Sequence, residues 1–248
     1  MTARPLLIAA LLLPVLALLG GAGPASAQPY AGVYLSGVPA SEHNLEALRT
    51  FPTTGVTDHF HVSNARFGDS IVYGGLLGYQ LIPRVAAELD VYHLSPGLKA
   101  QTRLASSPSA GTALVVTRDG DVDFTVAALS VVWNYRLLPS EPVADGRLQL
   151  YGGAGVAVFF TDLDATGSTT FAQFRLKDSD TSLGPQLKVG ARWFFTKNLG
   201  AFLEFRWAHT SFAVSDTGVT AAGVPVTIKV SSDVDLPLAL AGLSWHFK

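Results

Sequence analysis

No cysteine occurs in this 248-residue chain. That absence excludes a disulfide framework, a thiolate zinc site, a cysteine nucleophile and a lipid-anchored N-terminal cysteine. Charge is scarce too: charged residues make up 15% against 48% hydrophobic, so this is no disordered or solvating chain. A formal net charge of -2 carries no basic footprint for nucleic acid. After Ala27 no apolar run reaches the ~18 residues that a membrane helix needs. What is present is an apolar chain with 24 glycines, whose hydrophobic surface needs cover. The length suits one domain, or at most two, at roughly 150 residues per domain.

Residues 1–27 read as a secretory signal. Arg4 supplies the positive start, Leu6 to Leu19 the apolar core, and Ala25-Ser26-Ala27 a small-residue cleavage site. The apolar run is interrupted by Pro14 and followed by Gly20-Gly21, and it is shorter than a spanning helix. The expected organisation is therefore a removed signal at 1–27 and one domain over 28–248.

Period-two alternation recurs in eight segments, near Tyr30–Val38, Asp69–Leu81, Arg84–Leu94, Asp121–Arg136, Arg147–Phe160, Thr181–Phe195, Ala201–Val214 and Ser232–Phe247. Most reach the 9–11 residues, approximately, that a tilted strand needs to cross a bilayer, where soluble strands stop near 5–6. Three links are short: Ile82-Pro83, Leu137–Gly146 and Thr196–Gly200. The alternate links, near 39–68, 95–120, 161–180 and 215–231, are long and polar and are expected to be mobile surface loops. Even strand number with tight turns at one end and long links at the other predicts an all-β, eight-stranded antiparallel up-and-down transmembrane barrel.

The faces agree. In the fifth segment Leu148, Leu150, Ala154, Val156 and Val158 oppose Arg147, Gln149 and Tyr151. In the sixth, Leu183, Leu187, Val189, Ala191 and Trp193 oppose Gln186, Lys188 and Arg192; in the seventh, Leu203, Phe205 and Trp207 oppose Glu204 and Arg206. The apolar face is broad and aromatic, and the other suits a narrow lumen. Tyr79, Trp133, Tyr135, Trp193, Phe195, Trp245 and Phe247 fall near the short-turn ends, as an aromatic girdle would. Eight strands enclose an interior that side chains can fill. Glu88, Asp90, Lys188, Arg192, Glu204 and Arg206 should point into it, as a paired network or as an ion path.

Two His-x-Ser pairs offer a base beside a hydroxyl on one strand face: His61 with Ser63, and His209 with Ser211. For the second, Asp233 or Asp235 could supply an orienting acid if the strand register brings it across. His43, His59 and His61 with Asp58 have weak metal-like spacing, which a solvated loop explains as well, so no metal site is expected. GGAG and GGLLG lie inside strands and are not phosphate cradles.

The stretches GGLLGYQLIPRVAAELDVY (74–92), LQLYGGAGVAVFF (148–160), SLGPQLKVGARWFFTKNLGAFLEFRW (182–207) and LALAGLSWHFK (238–248) resemble the OmpA-type outer-membrane β-barrel family. The likeness spans nearly the whole mature chain but is a diffuse fold signature. The chain departs from OmpA itself in stopping after the eighth strand, without a peptidoglycan-binding domain. It also ends in Phe247-Lys248, where the family's assembly signal usually has the aromatic last. The resemblance implies export to the outer membrane, contact with its lipids and lipopolysaccharide, and reading of Ala241, Leu243, Trp245 and Phe247 by the barrel assembly machinery. It implies a monomer with no cofactor and no nucleic acid partner. HVSNA (61–65) also resembles the lipid-facing motif of the lipid A 3-O-deacylases, although position in the chain favours His209 and Ser211. The expected function is a non-enzymatic structural or surface-interaction role in the envelope. A narrow porin and a deacylase-like hydrolase are the alternatives.

Overall fold

The structure, a computed structural model, describes residues 28–51, 55, 57–98, 101–107, 111–138, 146–169, 172–220 and 224–247. The expected signal at 1–27 lies outside the described residues. Twelve strands follow one another among the described residues: β1 (Pro29–Val38), β2 (Ser41–Thr50), β3 (Thr57–Phe67), β4 (Ser70–Ile82), β5 (Val85–Leu94), β6 (Gly97–Leu98), β7 (Gln101–Ser107), β8 (Gly111–Leu137), β9 (Leu148–Thr169), β10 (Ala172–Phe194), β11 (Leu199–Thr220) and β12 (Pro225–His246). Eight of them close an antiparallel ring in the order β1-β4-β5-β8-β9-β10-β11-β12, sealed by β1 on β12. That ring is the barrel the alternation predicts.

The long links depart from expectation. They are not loops for most of their length but wall. The strand β9 runs 22 residues, β10 23, and β11 and β12 22 each. A 22-residue strand spans about 70 Å, or roughly 55 Å of height at a 40° tilt, against an apolar band of ~25 Å. The extra height is closed by a second set of neighbours. Here β12 pairs β2 from Thr227↔Thr50 to Ser231↔Glu46, β2 pairs β3, and β3 reaches β8 through β6 and β7. The hairpin β2–β3 and the short strands thus replace β1, β4 and β5 in an upper storey.

The reason is visible in the parity of one strand. Along β11, Leu203 and Phe205 face outward and Glu204 and Arg206 inward. Without any change of register, exposed Ser211 and Ala213 then face outward, and buried Phe212 and Val214 inward. The chemistry of the two faces exchanges where the wall leaves the apolar band. In the upper storey Phe124, Phe159, Leu163, Phe212, Val226 and Leu236 join an apolar interior, with Phe124 and Phe212 edge to face at 6.2 Å. Below that level the outer wall is apolar, with Val33, Leu35, Ile71, Val156, Leu183 and Leu203 among its exposed side chains.

Turn chemistry fixes the short-turn end. Gln80 donates from its side-chain amide to the Ile82 carbonyl at 2.6 Å across the first turn. At the second, Gly146 has φ 107°, and a Cβ there would collide with the Leu137 carbonyl, so only glycine fits. The Thr196 hydroxyl accepts from the Asn198 and Leu199 amides at the third. At this end Trp133, Tyr135, Trp193, Phe195, Trp245 and Phe247 are exposed on the outer wall and Tyr79 is partly covered. Phe194 turns inward instead and meets His246 edge to face at 4.9 Å.

One stretch of wall is held differently. The β10–β11 ladder lapses between Gln173 and Gln186. Side chains bridge it: Asp180 accepts from the Ala213 amide, Asp178 from Ser215 and Asp216 from Lys177, each at 2.9 Å. The hydroxyls of Ser182 and Thr210 meet at 2.6 Å lower down.

Candidate functional site

Six charged side chains meet across the lumen, two from each of three strands. From β5 come Glu88 and Asp90, from β10 Lys188 and Arg192, and from β11 Glu204 and Arg206; all six are buried. Period two puts both members of each pair on the inner face, and ring closure brings the three strands together. Lys188 donates to Glu88, and to Asp90 at 2.8 Å. Arg206 donates to Asp90 at 2.9 Å and to Glu204 at 2.6 Å, while Arg192 lies 3.7 Å from Glu88. Three carboxylates thus face three cations, so the cluster carries no net charge in its ionised form. Removing any one member would strand a buried charge.

Sequence reasoning placed Tyr151 on the lumen face but did not join it, Tyr30 or Tyr34 to this cluster. Tyr30 donates to Glu88 at 2.5 Å and Tyr151 to Glu204 at 3.0 Å, and Tyr34 accepts from Arg206 at 2.9 Å. The Arg192 guanidinium lies over Tyr30 at 4.9 Å, Tyr151 at 5.3 Å and Phe202 at 5.6 Å, a cation–π setting that suits a buried cation. Its Nε has no hydrogen-bond partner. Below it, the Arg192 Nη1 is 3.5 Å from Gln149 and 3.5 Å from the His246 ring, which stacks on Tyr30 at 4.8 Å. Above, Tyr92 donates to Gln186 at 3.4 Å and Gln186 to Ser130 at 3.3 Å.

The sequence held one sign of these aromatics. Four of the inward rings lie directly across from a glycine in the ladder: Tyr30 from Gly78, Tyr34 from Gly74, Tyr151 from Gly190 and Phe202 from Gly242. A Cβ at Gly190 would stand 2.6 Å from Tyr151, and one at Gly242 2.5 Å from Phe202. Close packing leaves no space for it.

On the outer wall the register pairs His209 with Asp235 and Ser211 with Asp233. His209 Nδ1 lies 3.0 Å from Asp235 Oδ1, with side chains 40% and 61% exposed. Trp207 stacks on the imidazole at 6.1 Å. The pair sits partway along β11, which continues to Thr220, rather than at a strand end. Residues 61–65 belong to β3, and their side chains lie outside the described residues, as does that of His43. Asp58 is engaged elsewhere, 2.6 Å from Arg49. Among the described residues no group of histidine and acidic side chains is placed to hold a metal.

The family model for the outer membrane protein beta-barrel domain matches residues 8–247. No curated protein matches the chain. Among solved structures, OprG of Pseudomonas aeruginosa is similar at a TM-score of 0.53 and 16% identity, covering 91% of this chain and 97% of OprG. The neisserial surface protein NspA aligns at 0.42 with 14% identity, over 88% of this chain and 97% of its own. At such identities the OprG likeness is one of fold, and it agrees with the ring described above. The chain belongs to the outer membrane protein β-barrel family, and its home is the outer membrane.

Proposed function

We propose that the protein is a non-conducting, non-catalytic envelope barrel that acts through its surface. The observation that carries this reading is the lumen cluster: six buried charges, balanced in sign and joined to one another, fill the section where an ion path would run. Hydrated ions could pass only by breaking ion pairs that have already lost their water, which costs several kcal/mol per ion. The narrow-porin alternative therefore lacks a path. Interaction is left to the polar outside of the upper storey, where Asp121, Asp123, Asp162 and Asp164 face away from the apolar interior. The outer-wall aromatics act as the girdle at the short-turn end. Alternating Ala241, Leu243, Trp245 and Phe247 on the outer face of the last segment form the stretch that the assembly machinery reads. Planar-bilayer recording tests the reading: no stepwise conductance is expected from the refolded chain, and steady open-channel current would refute it.

One observation favours a second reading. His209 has its acid, Asp235, at 3.0 Å, and Ser211 follows two residues on along the same strand. As a hydrolase of outer-leaflet acyl esters, the chain would use Ser211 as nucleophile and His209 as base. Fatty-acid release from lipid A, lost in Ser211→Ala, would establish it. Silence of the unmodified protein would discard it.

A further inference from the structure

We propose that the β10–β11 seam of the upper storey is an acid-sensitive latch. Proton uptake by Asp178 and Asp180 would release it and let the wall part along one line, uncovering the apolar interior. This concerns the upper storey alone and does not depend on the lumen reading.

On both sides of the seam the wall is continuous. The β10–β9 ladder runs from Gln173↔Ser168 to Trp193↔Leu148, and the β11–β12 ladder from Val219↔Pro225 to Leu199↔Trp245. Between β10 and β11 the pairing lapses from Gln173↔Val219 to Gln186↔Ala208. Strand β10 therefore travels with β9 and β11 with β12, as two panels. The seam closes at its lower end, where the Ser182 and Thr210 hydroxyls meet at 2.6 Å and Gly184 lies against the His209 carbonyl with no space for a Cβ. Pro185 follows, with no N–H to give a ladder. Above this pivot, buried Phe212 and Val214 lie behind the slit.

Carboxylates stand in for the lapsed ladder. Asp178 and Asp180 keep the inward parity of Gln186 and Lys188, and each uses both oxygens as acceptors. Asp178 accepts from the Ser215 amide across the seam at 2.9 Å and from the Ser179 amide at 2.8 Å. Asp180 accepts from the Ala213 amide at 2.9 Å and from the Thr181 amide at 2.7 Å. A protonated carboxyl turns one of these oxygens into a donor, which then confronts an amide N–H instead of receiving from it.

The neighbouring charges flank the latch without replacing it. Asp216 accepts from the Lys177 amide across the seam at 2.9 Å. The Lys177 ammonium lies 3.5 Å from Asp164 on β9, and Asp162 stands across from Ser179. On β12 Lys229 stands across from Ser215, and Asp235 lies 3.0 Å from His209 below the seam. Further round the wall Arg49 pairs with Asp58 at 2.6 Å. The Arg175 side chain lies outside the described residues.

Amide hydrogen exchange of the refolded barrel, expressed as protection relative to the intrinsic rate at each pH, tests this. Between about pH 7 and about pH 4, protection at Ala213 and Ser215 should fall about tenfold as the carboxylates take up protons. Phe205, which the ladder holds to Val189, should keep its protection. Asp178→Asn with Asp180→Asn places an NH2 donor where the proton would be. That variant should show the acid-level protection already at neutral pH, with the pH dependence gone. Asp121→Asn with Asp123→Asn, on a stretch where the ladder is intact, should change neither. Val214→Cys, in a chain without other cysteine, should react faster with a water-soluble maleimide in the Asp178→Asn, Asp180→Asn background, which reports parting and not only a lost bond. Heat-modifiable gel mobility identifies variants that have folded, and the acid profile of the unmodified chain decides the matter alone if the double variant has not. Protection that ignores acid, an acid loss that survives the two substitutions, or a Val214→Cys that stays unreactive in the folded double variant would overturn the proposal.

Discussion

A Cβ at Gly78 would collide with the Tyr30 ring, 2.0 Å from its Cζ. Gly78→Ala is therefore expected to cost about 1–3 kcal/mol, since an overpacked interior must shift backbone or rotamers. The midpoint of urea unfolding from lipid vesicles measures it, and Tyr30→Ala in the same chain should relieve part of the cost. The lumen ions are more sensitive. Lys188→Ala leaves Glu88 and Asp90 facing one another with a principal cation gone, and a loss of about 3–5 kcal/mol is expected. A change under 1 kcal/mol in the same assay would mean that water reaches these carboxylates. At this scale the six charges were legible because each shares a strand face with its neighbour two or, for Lys188 and Arg192, four residues away. The tyrosines' contacts were not, because their partners are on other strands: Tyr34 and Arg206 are 172 residues apart. The His209–Asp235 contact was legible only as a conditional, since it needs a register that no local pattern sets.

At the scale of the element, the alternation was read correctly and stopped too early. Thr161-Asp-Leu-Asp-Ala-Thr166 and Pro225-Val-Thr-Ile-Lys-Val-Ser231 keep period two, but with polar residues on the lipid-side parity. Abundant Ser, Thr and Asp made these stretches resemble loops. Their inward Leu163, Ala165, Val226 and Ile228 are core positions. Amide hydrogen exchange of the refolded barrel is expected to protect 225–231 and 161–166 alongside the membrane-level strands; exchange at loop rates would return them to the loops. The β10–β11 seam makes a narrower test. Asp178→Ala with Asp180→Ala removes the acceptors of the Ser215 and Ala213 amides. Faster exchange at those two amides is expected, with little change at Phe205, which the ladder holds to Val189.

The whole molecule is one barrel in two chemical settings. Its lower storey is apolar outside and polar within, and its upper storey is the reverse. Depth should therefore be readable from the tryptophans. Trp133, Trp193 and Trp245 sit at the short-turn end and Trp207 beside His209 at the opposite boundary. Lipids brominated near the headgroup should quench all four, and lipids brominated at the chain ends should quench all four weakly. Ring closure and the aromatic level followed from the sequence because each segment carries its own signal. The second ring did not, because β2 finds β12, and β3 finds β6 and β7, only in three dimensions. The closed lumen is most directly tested by osmotic water permeability, measured by stopped-flow light scattering of proteoliposomes. With Glu88, Asp90, Lys188, Arg192, Glu204 and Arg206 joined across the section, vesicles should shrink at the rate of lipid alone. Shrinkage that accelerates in proportion to the amount of folded barrel would contradict a filled lumen.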